Sequence, residues 1–332
     1  MTEAAEYQPE PGFRSPSPPP ILAHLAELAA AMRERLDACR QKRNDPEVEA
    51  VHRLRTGARR VEATLEMLAR EAGARGLGKA AEEARQRWLR QLKKIRRAAG
   101  LVRDLDVHRD LLGENFPNGG SESKAVAREL AVATGPSEFA ALAAQAQAFD
   151  AWLKDRRTTA AADLCMTLDK HADLLLEAEQ QFMAAMAQRP SSASRAHRPA
   201  ARLALEDYLR VVDAMPLIDK ENLHDFRKGA KKARYVSESE ENDSAAKAIA
   251  KTIKNVQDAI GDWHDWDVLA SEAREALGQD GAALALDLET RAQRAYERAM
   301  HMTTATNRRL VGEWRASRAH RQGRRLVRKR AQ

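Results

Sequence analysis

The sequence predicts an all-α protein that contains two copies of one multi-helix unit. Aromatic residues make up only 5% of the chain, and its long runs are dominated by alanine, leucine, glutamate, lysine and arginine, which lose little conformational entropy in a helix. No segment shows the alternation of apolar and polar residues that is typical of a strand. In addition, two stretches of the chain each recur once, in the same order.

The chain begins with a proline-rich segment and then becomes helical. Residues 1–20 contain six of the twelve prolines, which predicts a disordered leader. The helical pattern starts at Ile21. Clusters of turn-forming residues predict breaks between helices, at residues 44–46, 73–78, 117–120, 189–199 and 216–220. The break at 189–199 is predicted to be a hinge, giving a leader (1–20), an N-terminal half (21–190), a C-terminal half (191–318) and a basic tail (319–332).

The two recurring stretches define the repeat. Residues 52–60, HRLRTGARR, recur as residues 224–232, HDFRKGAKK, at an offset of 172. Residues 100–107, GLVRDLDV, recur as residues 261–268, GDWHDWDV, at an offset of 161. Because the order is the same and the offsets differ by only 11 residues, the chain is predicted to be a duplicated helical bundle with a pseudo-twofold axis.

The first recurring stretch is predicted to lie on a helix with an apolar face and a separate basic edge. Asp45 and Pro46 are expected to cap and begin the first of these helices. The apolar positions that helical periodicity gathers on one face are Val51, Leu54, Ala58, Val61, Leu65 and Leu68, and in the second copy Leu223, Phe226, Ala230 and Ala233. The basic edge consists of His52, Arg55 and Arg59, and in the second copy of His224, Arg227 and Lys231, flanked by Lys228 and Lys232.

This basic edge favours a polyanion as ligand. Helical neighbours three or four residues apart lie about 5–6 Å from each other, so their like charges repel unless an anion bridges them. A chain of phosphates carries repeated negative charge that suits both arginine and lysine. A solvated basic face is the alternative for a single charge run, but two copies that each open with histidine favour binding.

The histidines are interpreted according to their position in the repeat. His52 and His224 share a position beside cations and are predicted to donate hydrogen bonds to phosphate. A single helical histidine is more often structural than a ligand. That structural interpretation applies to His24, His108, His171, His301 and His320.

The second recurring stretch carries paired acids, Asp104 with Asp106 and Asp265 with Asp267. Paired carboxylates can serve in general acid–base catalysis. We favour a structural role, in which acids after a helix-breaking glycine cap the next helix or orient the basic residues by ion pairs. Just upstream, further cations recur at the same offset and extend the predicted basic surface: Arg90, Lys93, Lys251 and Lys254.

Charge and motif content limit the classes of function. The net charge is +7, but residues 307–332 hold ten arginines and lysines and one acid, so the remainder is −2. A polyanion site in the body must therefore come from charge patterning. No P-loop, nucleophile elbow or metal-ligand set is present, and we expect neither an enzyme nor a cofactor or metal ion.

The location is predicted from what the sequence lacks. No apolar run approaches the roughly 20 residues needed to span a bilayer, and the N-terminus has no signal-peptide pattern. Cys39 and Cys165 lie in helical patterns without metal-ligand spacing, which is typical of a reducing compartment. We therefore expect a cytoplasmic protein without membrane insertion.

The stretches VHRLRTGARR and LHDFRKGAKKARY, each followed by a GxxxDxDV block, resemble the CHAD family of histidine-containing α-helical domains over roughly residues 20–320. The resemblance implies two pseudo-symmetric four-helix bundles whose basic helices line a central cleft or pore. It also implies binding of inorganic polyphosphate, with some members located on polyphosphate or polyhydroxyalkanoate granules. The implied binding residues are His52, Arg55, Arg59, Arg60, His224, Arg227, Lys231, Lys232 and Arg234.

The first copy departs from the family pattern at Glu62, where Arg234 stands in the second copy. We therefore expect the C-terminal half-site to bind more strongly. The alternative function is nucleic-acid binding through the basic helices and the arginine-rich residues after Asn307, consistent with a pI near 9.5. Few aromatics are placed to stack bases and no helix-turn-helix pattern is present, which favours polyphosphate.

Overall fold

The computed structural model describes residues 20–42, 45–73, 76–116, 136–188, 200–238 and 243–330, without the side chains of residues 20, 71, 136, 138, 200 and 317–330. Within these ranges the protein is helical and has no strand, which confirms the all-α class. The helices are α1 (Pro20–Gln41), α2 (Val48–Ala72), α3 (Lys79–Asn115), α4 (Pro136–Ala187), α5 (Ala200–Ala214), α6 (Leu223–Glu238), α7 (Ser244–Leu277) and α8 (Ala282–Arg330), with a 3-10 turn at Gly278–Gly281.

The first four helices pack in chain order. Helix α1 lies on α2, α2 on α3, and α3 along α4, which returns against α1. The apolar face predicted for α2 is buried at every position from Val51 to Leu68, so its periodicity identifies the core side correctly. Trp88 of α3 and Phe182 of α4 meet in this core with ring centroids 5.8 Å apart.

The last four helices pack in the same order. Helix α5 lies on α6, α6 on α7, and α7 along α8, which also contacts α5. Leu223, Phe226, Ala230 and Ala233, the predicted apolar face of α6, are fully buried. Tyr208 of α5 packs edge-on against Phe226 at 5.9 Å between ring centroids.

Buried apolar residues of both sets belong to one continuous core, and polar contacts cross between the sets. The buried His108 of α3 lies 2.8 Å from a carboxylate oxygen of Glu272 in α7, a partner that agrees with the structural interpretation of this histidine. Arg291 of α8 donates to Asn115 of α3 at 2.8 Å. These contacts fix α3 against α7 and α8.

The predicted cap of α2 is wrong. The helix begins at Val48 with Glu47 at the N-cap position, and no side chain caps it. Asp45 instead pairs with Arg157 of α4, and the carbonyl of Pro46 accepts from the same guanidinium at 2.9 Å. The buried Arg157 needs several acceptors, and this need holds the loop away from a capping geometry.

The predicted helix breaks at Gly100 and Gly261 are also wrong. Both glycines lie inside continuous helices, α3 and α7, because the apolar periodicity of these helices continues on either side. The acids that follow therefore cap no helix. Their ion pairs are described with the site below.

The remaining predicted breaks have mixed outcomes. The loops around residues 73–78 and 216–220 are present, whereas the breaks at 117–120 and 189–199 and most of the leader lie outside the described residues. Two breaks were not predicted. Asp243 caps α7 by accepting from the backbone N–H groups of Ala245 at 2.9 Å and Ala246 at 3.1 Å, and Gly278, with φ of 54°, ends that helix.

The C-terminal segment is part of a long helix. Helix α8 continues to Arg330, so the backbone of the predicted basic tail is helical up to that residue. In the described part of the chain, no helix combines the length and the apolar character required to cross a bilayer.

The contact between α5 and α6 supplies a stability prediction. A Cβ atom added at Gly229 would lie 2.8 Å from both methyl carbons of Val211, and a β-branched side chain has little freedom to move aside. Gly229→Ala should therefore lower the free energy of unfolding by about 1–3 kcal/mol, the range for overpacking, as measured by urea denaturation.

The matched control is Gly312→Ala in α8, where an added Cβ meets no atom within 4 Å. This substitution should raise stability by roughly 0.5–1 kcal/mol through helix propensity. Equal effects at the two positions would contradict the tight approach of α5 to α6.

Candidate functional site

Helices α2 and α6 contact each other with their basic edges facing. Their apolar faces are buried in the core, so the remaining edges are the ones available at the contact. Lys232 of α6 pairs with Glu66 of α2 at 2.5 Å. Four cations from the two helices interact electrostatically and are called the central basic cluster: Arg55, Arg59, Arg227 and Lys231.

Positive charge is costly in this cluster. Burial, followed by the charges of Arg227 and Arg59, lowers the pKa of Lys231 to about 6. Burial also lowers the pKa of Arg227, and burial together with the charge of Arg55 lowers that of Arg59. The fold therefore holds cations where an anion would relieve both desolvation and repulsion.

Helix α7 positions Arg227 through its backbone. The Nε atom of Arg227 donates to the carbonyl of Gln257 at 3.0 Å. A Cβ atom at Gly261 would lie 2.5 Å from Nη2 of Arg227, so this glycine reserves the space for the guanidinium group. In the first copy, a Cβ atom at Gly100 would lie 3.7 Å from Nε of Arg55, which is an ordinary contact.

The first acid of each recurring pair faces the cluster. Asp104 pairs with Arg55 at 3.0 Å, and Asp265 acts electrostatically on Arg227. Burial raises the pKa of Asp265 even though the charge of Arg227 opposes that shift. The ion pair of Asp104 agrees with the expectation that these acids orient basic residues.

The second acid of each pair anchors the start of a basic helix. Asp106 of α3 accepts from Nε of Arg157 at 2.6 Å, and Arg157 in turn holds the loop before α2. Asp267 of α7 pairs with Lys220, in the loop before α6, at 2.9 Å. In both halves, an acid thus holds the loop that precedes the basic helix. The contact runs through Arg157 in the first half and is direct in the second.

The histidine of the second copy has an unforeseen neighbour. The rings of His224 and His264 lie 4.1 Å apart between centroids. Burial, followed by His264 and nearby lysines and Arg227, lowers the pKa of His224 to about 4, so its ring is neutral at pH 7. The equivalent of His264 in the first copy is Arg103, which acts on His52. In the alignment of the second recurring stretches, His264 stands opposite Arg103. This alignment was the sequence signal that could have predicted His264 as a neighbour of His224.

An acid also lies beside the cluster in the first half. Glu62 of α2 accepts from Nε of Arg96 in α3 at 3.0 Å. Burial raises the pKa of Glu62, with the charge of Arg96 opposing the shift. Across the contact, Tyr235 of α6 interacts with Arg59, and the Arg234 guanidinium lies over the Tyr235 ring at 4.8 Å.

The other predicted binding residues lie around this centre. Arg234 acts on Lys231, whereas Arg60 acts on Arg35 of α1. Lys228 pairs with Asp225 at 2.8 Å on its own helix. Along α7, Lys254 pairs with Asp258 at 2.5 Å. The remaining three are exposed on α3 and α7, and the interactions described for the cluster do not include them: Arg90, Lys93 and Lys251.

Among the described residues, no group of three or more histidine, cysteine, aspartate or glutamate side chains is arranged to hold a metal ion.

Comparison with known proteins identifies the family of the chain. The sequence model of the CHAD domain matches residues 23–274. The chain belongs to the CHAD domain family. The crystal structure of the CHAD domain from the plant Ricinus communis is similar, with a TM-score of 0.54 and 18% sequence identity over 85% of this chain and 86% of that chain. No curated protein matches this CHAD protein.

The cluster predicts a pH-dependent cost that can be measured. The pKa of Lys231, about 6 in the folded protein, lies below its ordinary value of 10.5, so the unfolded chain binds the proton more tightly. Lys231 therefore reduces stability below about pH 10, most fully below about pH 6. Lys231→Met should raise the melting temperature, with the largest gain near pH 6 and a smaller one towards pH 10.

The control for this measurement is Lys251→Met, at an exposed position of α7, which should leave the melting curve nearly unchanged. A gain from Lys231→Met that is the same at every pH would mean that added apolar packing, not a relieved charge, causes it.

Proposed function

We propose that this CHAD protein binds inorganic polyphosphate at one composite site built by both halves. The observation that carries the proposal is the central basic cluster, in which two basic residues of α2 and two of α6 meet, and in which burial lowers the pKa values of Arg59, Arg227 and Lys231. A polyphosphate chain can contact all four at once, because its negative charges repeat along its length, and its charge favours the protonated form of Lys231. Binding of this kind would let the protein associate with polyphosphate-containing granules in the cytoplasm.

The residue types suit phosphate oxygens. Arginine presents a planar fork of donors and lysine a compact point charge, and hydrogen bonds from charged donors are stronger than neutral ones. His224 is neutral at pH 7 because its pKa is about 4, so it can donate one hydrogen bond without adding to the repulsion.

The architecture is proposed to be a duplication. Helices α1–α4 and α5–α8 follow the same order of packing contacts, and the two recurring stretches lie on corresponding helices, α2 with α6 and α3 with α7. We therefore propose two four-helix units whose basic edges line a shared cleft. The boundary between the units is placed at residues 189–199, as the sequence predicts.

The two half-sites are proposed to differ in strength. The first half contributes Glu62, which lies beside the cluster with Arg96, where the second half contributes Arg234. A carboxylate at this position repels an approaching phosphate, whereas an arginine attracts it. Binding should therefore be stronger in the C-terminal half.

The protein is further proposed to bind polyphosphate without hydrolysing it, because Asp104 is held in an ion pair with Arg55 and no nucleophile or metal-ligand motif accompanies the basic helices. The purified protein should release no phosphate from polyphosphate in a colorimetric assay. Release that Asp104→Asn or Asp265→Asn abolishes would instead assign these acids a catalytic role.

A decisive test separates the cluster from the basic C-terminal segment. Arg55→Glu combined with Arg227→Glu reverses two charges of the cluster and should weaken polyphosphate binding by several orders of magnitude, since each attraction becomes a repulsion in a poorly screened site. Binding is measured by titration calorimetry at fixed ionic strength, with circular dichroism to verify folding.

The comparison protein is truncated after Ala316. Leu310 of α8 is buried, so a cut after residue 316 preserves the core. It removes seven arginines and lysines and no acid. The truncation should cost much less affinity than the double reversal. The opposite ranking would place the binding site in the C-terminal segment.

Polyphosphate binding should also depend steeply on salt. By analogy with DNA, neutralising about 6–10 phosphates costs roughly 10³–10⁵ in affinity between about 50 and 200 mM salt. The same titration with double-stranded DNA at matched ionic strength tests nucleic-acid binding, the alternative that the basic end of α8 favours. DNA binding as tight as polyphosphate binding would support that alternative.

A further inference from the structure

The acids that face the central basic cluster differ from the acids two positions later. Asp104 has a half-exposed side chain, 53% accessible, and pairs with Arg55 at 3.0 Å. Asp106 is almost fully buried, 2% accessible, and pairs with Arg157, outside the cluster. The acid at the first position is thus the one that an incoming ligand can reach and displace.

In the second copy the first acid again acts on the cluster, although the side chain of Asp265 is more buried than that of Asp104. Asp265 acts on Arg227, which also feels Asp104 from the other half. Asp267 pairs with Lys220 at 2.9 Å, away from the cluster. One acid from each half therefore neutralises the cluster in part, and each lies beside a guanidinium group proposed to bind phosphate.

We infer that Asp104 and Asp265 are internal counter-ions of the cluster, which a phosphate chain must replace and which thereby set the shortest chain that the site accepts. The inference rests on the proposed function and adds a determinant of chain-length specificity to it. The carboxylates stabilise the cluster while no ligand is bound, and they compete with any ligand that arrives.

The competition penalises short anions more than long ones. A single phosphate that displaces Asp104 from Arg55 exchanges one charge-assisted hydrogen bond for another of similar strength, so the net gain is small. A long chain also reaches Arg59 and Lys231, for which the structure describes no ion pair with these two acids. Once one phosphate of a long polyphosphate is bound, the other phosphates of the same molecule meet the remaining basic residues at high effective concentration.

The test removes both carboxylate charges while keeping side chains of the same shape. Asp104→Asn combined with Asp265→Asn should bind tripolyphosphate at least about tenfold more tightly, as measured by titration calorimetry. Affinity for a long polyphosphate should change less, so the preference for long chains should fall.

A matched control removes the same charge from the same two helices. Asp110 is exposed on α3, and Asp262 of α7 pairs with Arg298 on the outer side at 2.9 Å. Asp110→Asn combined with Asp262→Asn should leave the ratio of the two affinities unchanged. If the test variant gains no more tripolyphosphate affinity than this control, or if it loses long-chain binding, the counter-ion role is wrong.

A second measurement keeps this inference separable from the proposed function. Without its counter-ions, the variant should melt below the control in chloride, and sulfate should restore its melting temperature. That result would uphold the counter-ion role even if the wild-type protein failed to bind polyphosphate. If the variant and the control have the same melting temperature in chloride, the counter-ion role is wrong. Asp104→Asn alone, compared with Asp110→Asn, gives the same measurement if the double variant does not fold.

Discussion

The approach of two basic helix edges to each other is the constraint on which the rest of the structure depends. Like charges on α2 and α6 meet because both helices bury their opposite faces in one core, and the apolar burial outweighs the repulsion. The lowered pKa values of Arg59, Arg227 and Lys231 show where that cost is stored. A polyanion bound at the cluster, as proposed, would offset this cost and would therefore stabilise the fold.

Helices α3 and α7 act as supports for this arrangement. In each, the first acid of the recurring pair interacts with an arginine of the cluster, and the second acid anchors the loop from which the basic helix starts. The glycine that precedes the pair lets the arginine lie against the helix backbone, most closely at Gly261. The two recurring stretches therefore form one functional unit in each half, although about 40 residues separate them in the first copy.

The two halves of the proposed duplication differ in detail. At one position, the lack of a side chain at Gly57 lets Arg35 of α1 pack against α2, whereas at the equivalent Gly229 it lets Val211 pack against α6. At another, the neighbour of the leading histidine is an arginine in the first half and a second histidine in the other. Such differences change the charge and the packing around the two basic edges, whereas the packing order of the helices stays the same. They make the proposed composite site asymmetric.

The sequence by itself determined the helices, the buried faces of α2 and α6, the basic edges and their repetition, because propensity and periodicity are local properties of the chain. The tertiary structure decided which charge meets which partner. Asp45 and Pro46 bind Arg157 instead of capping a helix, and Gly100 continues a helix that the sequence predicted to break. Ion pairs depend on distances between segments far apart in the chain, and no local pattern records those distances.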